Sequence, residues 1–70
     1  MKYKVGDIIE YRTFGGELRK VKVEIKEEDV KNGRPGFDGT IIDMANKDNK
    51  ILQDSVWGYD SQITRVIKSS

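Results

Sequence analysis

From Lys20 to Lys26 the chain alternates without a break, Val21, Val23 and Ile25 standing between Lys20, Lys22, Glu24 and Lys26. A period of two is the pattern of a strand with one buried and one wet face. Upstream, Asp7-Ile8-Ile9-Glu10-Tyr11-Arg12-Thr13 is rich in β-branched and aromatic residues, and Gly15-Gly16, after Phe14, supplies the positive-φ positions of a tight turn. The two segments are predicted to pair as an antiparallel hairpin, with Ile9 and Tyr11 on the core side beside Val21, Val23 and Ile25. The adjacent Ile8 and Ile9 leave that register open by one residue.

Further along, Glu27 to Gly36 reads as a long loop with room for a short helix at most, because it holds the turn dipeptides Asn32-Gly33 and Pro35-Gly36. Phe37 to Asp43 is expected to be the third strand, with Gly39 a candidate bulge, Met44 to Asn49 a polar turn, and Ile51 to Trp57 the fourth strand. Gly58 to Ile63 suits one helical turn before a last strand over Thr64 to Ile67. The predicted fold is all-β: a small five-stranded SH3-like barrel with a short 3-10 turn before the last strand, laid out like Tudor and KOW-type domains. An open meander or OB-like barrel is the alternative.

Seventy residues suffice for one core, so residues 1–70 read as a single domain. Neither cysteine nor histidine occurs, which removes disulfides, thiolate and imidazole zinc sites, and nucleophiles built on Cys or His. Thirteen basic against twelve acidic side chains leave a net charge of +1 and no whole-molecule field, so charge-driven binding must be local. Apolar runs such as Ile8-Ile9 and Ile51-Leu52 are far too short to cross a bilayer, and no apolar stretch follows the basic N-terminus. A cytoplasmic location is the expectation.

Two segments, Asn32-Gly33-Arg34-Pro35-Gly36-Phe37-Asp38-Gly39 and Val56-Trp57-Gly58-Tyr59-Asp60-Ser61-Gln62-Ile63, together resemble a family of short, uncharacterised bacterial and phage-type proteins carrying NGRPGFDG followed by VWGYDxQ[IV]. Most of the chain fits that pattern. The resemblance implies a bacterial or phage origin and brings no activity with it.

Phe37, Trp57 and Tyr59 are half of the aromatic residues, and at the mouth of a small barrel they would form a platform. Asp38 or Asp60 would add negative charge suited to a cationic or methylated side chain. The competing reading makes Phe37 and Trp57 plugs of a small core. Gly58 decides between them, since an undistorted strand puts Trp57 and Tyr59 on one face. Arg34 would pair with a ligand carboxylate or phosphate, or with Asp38 or Asp60 to pin its loop. Asp60 is placed to cap the short turn.

Arg12, Arg19, Lys20, Lys22 and Lys26 concentrate in the first hairpin, and Lys20, Lys22 and Lys26 are expected to share its outward face. Beside exposed aromatics, such a stripe binds nucleic acid; interrupted by Glu24 and bordered by other acids, it is also an ordinary solvated face that protects a sheet edge. Hydroxyls without histidine have no evident base, and a chain this size has little room for a pocket beside its core, so catalysis is not expected. The sequence therefore reads as a non-catalytic module that binds a protein partner through Arg34, Phe37, Asp38, Trp57, Tyr59 and Asp60, without cofactor, metal or membrane. Nucleic-acid binding through the basic hairpin, or service as an assembly subunit, are the alternatives.

Overall fold

A computed structural model describes residues 2–43 and 55–70. Among these residues five strands occur, β1 Ile8–Arg12, β2 Leu18–Lys31, β3 Arg34–Ile41, β4 Ser55–Tyr59 and β5 Ile63–Lys68, with one 3-10 turn, η1, at Asp60–Gln62. They form one open antiparallel sheet in the order β4-β3-β2-β1-β5, and no α-helix is present among the described residues. The expected polar turn over Met44 to Asn49, and the fourth strand before Ser55, lie outside the described residues.

The first hairpin has the expected register. Ile9 faces Val21 and Tyr11 faces Arg19, which puts Ile9, Tyr11, Val21 and Val23 on the inner face, all buried. The loop closes where Thr13 N–H donates to the Glu17 carbonyl and Gly16 N–H to the Thr13 carbonyl, with Gly16 at φ +88°.

Ile25 departs from the expectation and is 52% exposed. Val23 pairs with Gly39 but Ile25 with Asp38, so two residues of β2 are spent against one step of β3. This bulge reverses the side-chain phase of the strand. Ile25 turns outward, and Lys26, now opposite the core residue Phe37, turns to the face that carries Tyr3 while remaining exposed. The extra residue lies on β2 rather than at Gly39, whose buried backbone packs so closely that an added Cβ would lie 2.3 Å from the Lys22 carbonyl oxygen.

The expected long loop between the second and third strands is absent. β2 continues to Lys31 and β3 begins at Arg34, joined by Asn32 and Gly33 at φ 57° and 71°. Two consecutive left-handed residues make the tight turn that matches strand twist, and the Asn-Gly dipeptide favours it. Asp29 adds a bond, its carboxylate accepting the Gly33 N–H at 2.8 Å. The charged run from Glu27 to Lys31 is thus the extended edge of a long hairpin.

The core gathers Tyr3, Ile9, Tyr11, Val21, Val23 and Phe37, with Ile41, Val56, Ile63 and Val66 packed against it. Val56 comes from β4 and Ile63 and Val66 from β5, so both edge strands contribute to one cluster. Tyr3 and Tyr11 meet the Phe37 ring edge-on, at centroid distances of 6.2 and 5.4 Å. Asp7 is buried and satisfied: its carboxylate accepts N–H bonds from Lys4 at 3.0 Å and Ser70 at 2.8 Å, and the Ser70 bond above all lowers its pKa.

Candidate functional site

The site begins with β4. Its pairing sets Phe37 opposite Gly58 and Asp38 opposite Trp57, and a Cβ at Gly58 would lie 2.8 Å from Phe37 Cζ. Gly58 therefore covers the core face with backbone alone, and the alternation of the strand sends Trp57 and Tyr59 to the other face. Their rings meet edge to face at 5.4 Å.

From Tyr59, η1 carries the chain in three residues to β5, which pairs along β1 with Ile63 opposite Tyr11. The end of β4 is thereby brought to the end of β1. Gln62 fixes the connection, its amide oxygen accepting the Tyr59 N–H and its amide nitrogen donating to the Arg12 carbonyl, both at 2.8 Å. Phe14, just beyond β1, comes to rest 5.7 Å from the Trp57 ring and 6.1 Å from Tyr59. Phe14 is 72% exposed, Trp57 is half-buried, and Tyr59 lies covered beneath both.

Two cations from the second hairpin frame this cluster. Lys31 Nζ stands 5.2 Å from the Trp57 ring centroid, and the Arg34 guanidinium carbon 4.1 Å from that of Tyr59. Arg34 donates to Ser61 Oγ at 3.0 Å, and Asn32 donates to the Tyr59 hydroxyl at 3.2 Å. Arg34 has no ion pair among the described residues, so the expected bridge to Asp38 or Asp60 is replaced by stacking on Tyr59.

Of the residues singled out from sequence, Arg34, Trp57 and Tyr59 come together here. Phe37 does not: it is fully buried beneath Gly58 and belongs to the core. Asp38 borders the cluster, opposite Trp57. Asp60 neither caps the turn nor faces the platform; Tyr3 donates its hydroxyl to Asp60 at 2.5 Å and to the Gly36 carbonyl at 3.1 Å. Burial and then the Asp60 carboxylate raise the Tyr3 pKa well above its usual value. Turn capping falls to Gln62.

Sequence reasoning missed Phe14 and Lys31. Phe14 is the one large apolar residue set directly before Gly15-Gly16, and a ring in a hairpin loop cannot use the alternation that hides Tyr11; that is its only local signal. Lys31 falls in the stretch expected to be a loop, where it would have no fixed neighbour.

The basic hairpin does not form one surface. Lys20 and Lys22 lie outward, but the bulge turns Lys26 to the opposite face, where, still exposed, its ammonium donates to the Tyr3 carbonyl at 2.9 Å and sits over the Tyr3 ring at 4.5 Å. Arg19 pairs with Glu17, and Arg12 donates to the Gly16 carbonyl at 3.1 Å. Glu10, opposite Lys20, also accepts from Thr64 and Arg65; the Thr64 hydroxyl is the largest influence holding its pKa down.

Two shallow depressions, of about 260 and 290 Å³, lie near the chain termini, lined by Tyr3, Lys4 and Asp7 and by Ile8, Lys22 and Lys68. Neither includes a residue of the aromatic cluster. No group of acidic residues suited to a metal ion occurs among the described residues, and no helix there is long and apolar enough to cross a membrane. No protein-family model, curated protein or solved structure matches the chain.

Proposed function

We propose that the chain is a non-catalytic, SH3-like interaction module that binds a protein partner at the surface formed by Phe14, Trp57 and Tyr59, framed by Lys31 and Arg34. The barrel reading is supported by the strand order, the 3-10 turn before β5, and the packing of Val56, Ile63 and Val66 on one core. The observation that carries the functional reading is Phe14, an aromatic side chain 72% exposed and resting on two further rings. Holding an apolar ring in water has a cost that burial against a partner recovers, and aromatic residues with arginine are the side chains over-represented where protein interfaces concentrate their energy.

The alternative, nucleic-acid binding through Lys20 and Lys22, has less support because the carboxylates of Glu10, opposite Lys20, and Glu24, bonded to the Thr40 that pairs with Lys22, share that face, and Lys26 reaches to Tyr3 instead. A photo-crosslinking residue at position 14, with position 22 as the comparison, tests the choice in a bacterial extract. Polypeptide adducts from position 14 and none from position 22 support the reading. Nucleic-acid adducts from position 22 sink it.

A further inference from the structure

The aromatic surface carries its own charges, and these restrict what can lie on it. Lys31 and Arg34 stand over Trp57 and Tyr59, so the ring faces that would receive a cationic or methylated side chain are already occupied by positive groups. The same occupancy works against nucleobases, which need a free ring face to stack on. What remains accessible is the Phe14 ring, with the exposed parts of Trp57 beside it.

Arg34 adds a second, independent feature. Its guanidinium is stacked at 4.1 Å on Tyr59, which holds its plane, while one amino group donates to Ser61 Oγ. A guanidinium has five N–H donors and matches a carboxylate through two of them, and Arg34 has no carboxylate partner among the described residues. The carboxylates bordering the cluster, Asp38 and Glu27, pair across the sheet with Trp57 and, through Gly36, with Tyr59, on the β2 side of the strand. The surface therefore joins exposed Phe14 and half-buried Trp57 to the cationic end of the second hairpin, with Asp38 opposite Trp57 at its border.

Resting on the binding surface proposed above, we infer that its occupant is a polypeptide segment bearing apolar side chains next to carboxylates, the apolar groups covering Phe14 and Trp57 and a carboxylate taking the open donors of Arg34, with Lys31 alongside. The preformed stacking of Arg34 lowers the ordering cost of that ion pair.

Three fluorescein-labelled pools of short peptides built on Leu, Ile and Phe test this, the remaining positions being Asp and Glu, Asn and Gln, or Lys and Arg. Anisotropy titrations with the full chain should show the acidic pool binding about tenfold more tightly than the amide pool, as expected for charge-assisted bonds to a guanidinium. The preference should vanish in the double variant Lys31→Gln, Arg34→Gln, whose substitutions lie at exposed positions and keep the aliphatic stems. Phe14→Ala should weaken the acidic and amide pools alike.

Equal binding of these two pools would overturn the acidic assignment; loss of both with Phe14→Ala would then still leave the surface as the binding site. Binding of no pool, or binding indifferent to Phe14→Ala, would overturn the assignment and the proposed surface together. Labelled oligothymidylate that binds more tightly than the acidic pool and is lost with Phe14→Ala would replace the polypeptide by a single-stranded nucleic acid.

Discussion

Gly58 lies directly over the Phe37 ring, close enough that a methyl group there would stand 2.8 Å from Phe37 Cζ and 3.1 Å from Cε1. The contact seals the core beneath β4 and leaves Trp57 and Tyr59 together on the opposite face. Gly58→Ala must push the phenyl ring or strand aside, an overpacking cost of about 1–3 kcal/mol. Urea denaturation should show the lowered midpoint, and an unchanged midpoint would mean that the ring can yield.

Phe37 and Phe14 should divide stability from binding. Phe37 is fully buried, and Phe37→Leu is expected to cost about 1–3 kcal/mol in the same denaturation experiment. Phe14 is largely in solvent, and Phe14→Ala should change stability by no more than about 0.5 kcal/mol. A large loss from Phe14→Ala would assign that ring to the fold.

The turn at Asn32 and Gly33 closes the longest hairpin. Both residues have positive φ, so Gly33→Val should cost about 1–2 kcal/mol by forcing a β-branched side chain into the left-handed region. Asn32→Gly should be nearly neutral, because glycine adopts that backbone freely. Paired thermal melts would check the contrast, and equal losses would place the importance of Asn32 in its side-chain bond to Tyr59.

Stability should fall at both ends of the pH scale. Asp7 and Glu10 have pKa values lowered from 3.8 and 4.5, Asp7 by the Ser70 N–H first and Glu10 by the Thr64 hydroxyl first. Groups lowered in the fold contribute stability that is present above their unfolded values and lost as pH falls through their folded ones. The acid loss should therefore begin near pH 4 and deepen below it. Tyr3 and Tyr11 are raised above 10.0, chiefly by burial, so their contribution is intact below pH 10 and lost as the pH rises beyond it. Denaturation midpoints should be flat between these limits, and Tyr3→Phe should remove part of the alkaline loss.

The first hairpin was legible because alternation over Lys20 to Lys26 and the β-branched run before Phe14 act locally, and each specifies an inner face. Ile25 escaped that reading because a bulge is a property of the pair: nothing in β2 alone states that Val23 will meet Gly39 while Ile25 meets Asp38. The second hairpin was misread for another reason. Lys, Glu and Asp are poor strand formers in isolation, and the long pairing with β3 overrides that preference. In the candidate site, Trp57 and Tyr59 followed from the spacing around Gly58, whereas Phe37 was separable from them only once Gly58 was seen to lie on its ring. Phe14 required the three-dimensional path through η1, and Lys31 the long pairing of β2 with β3 and of β3 with β4.

That path has a further consequence. The binding surface draws on Phe14, on Lys31 and Arg34, and on Trp57 and Tyr59, three stretches of chain that meet because β3 pairs with β4 and η1 delivers the end of β4 to the end of β1. The unfolded chain does not assemble the surface, so an occupant specific to it captures the native population by mass action, stabilises it by about 2.7 kcal/mol at a hundredfold excess over Kd, and thereby raises the melting temperature. The fold is thus its own reporter, and a ligand of unknown identity can be found by heating.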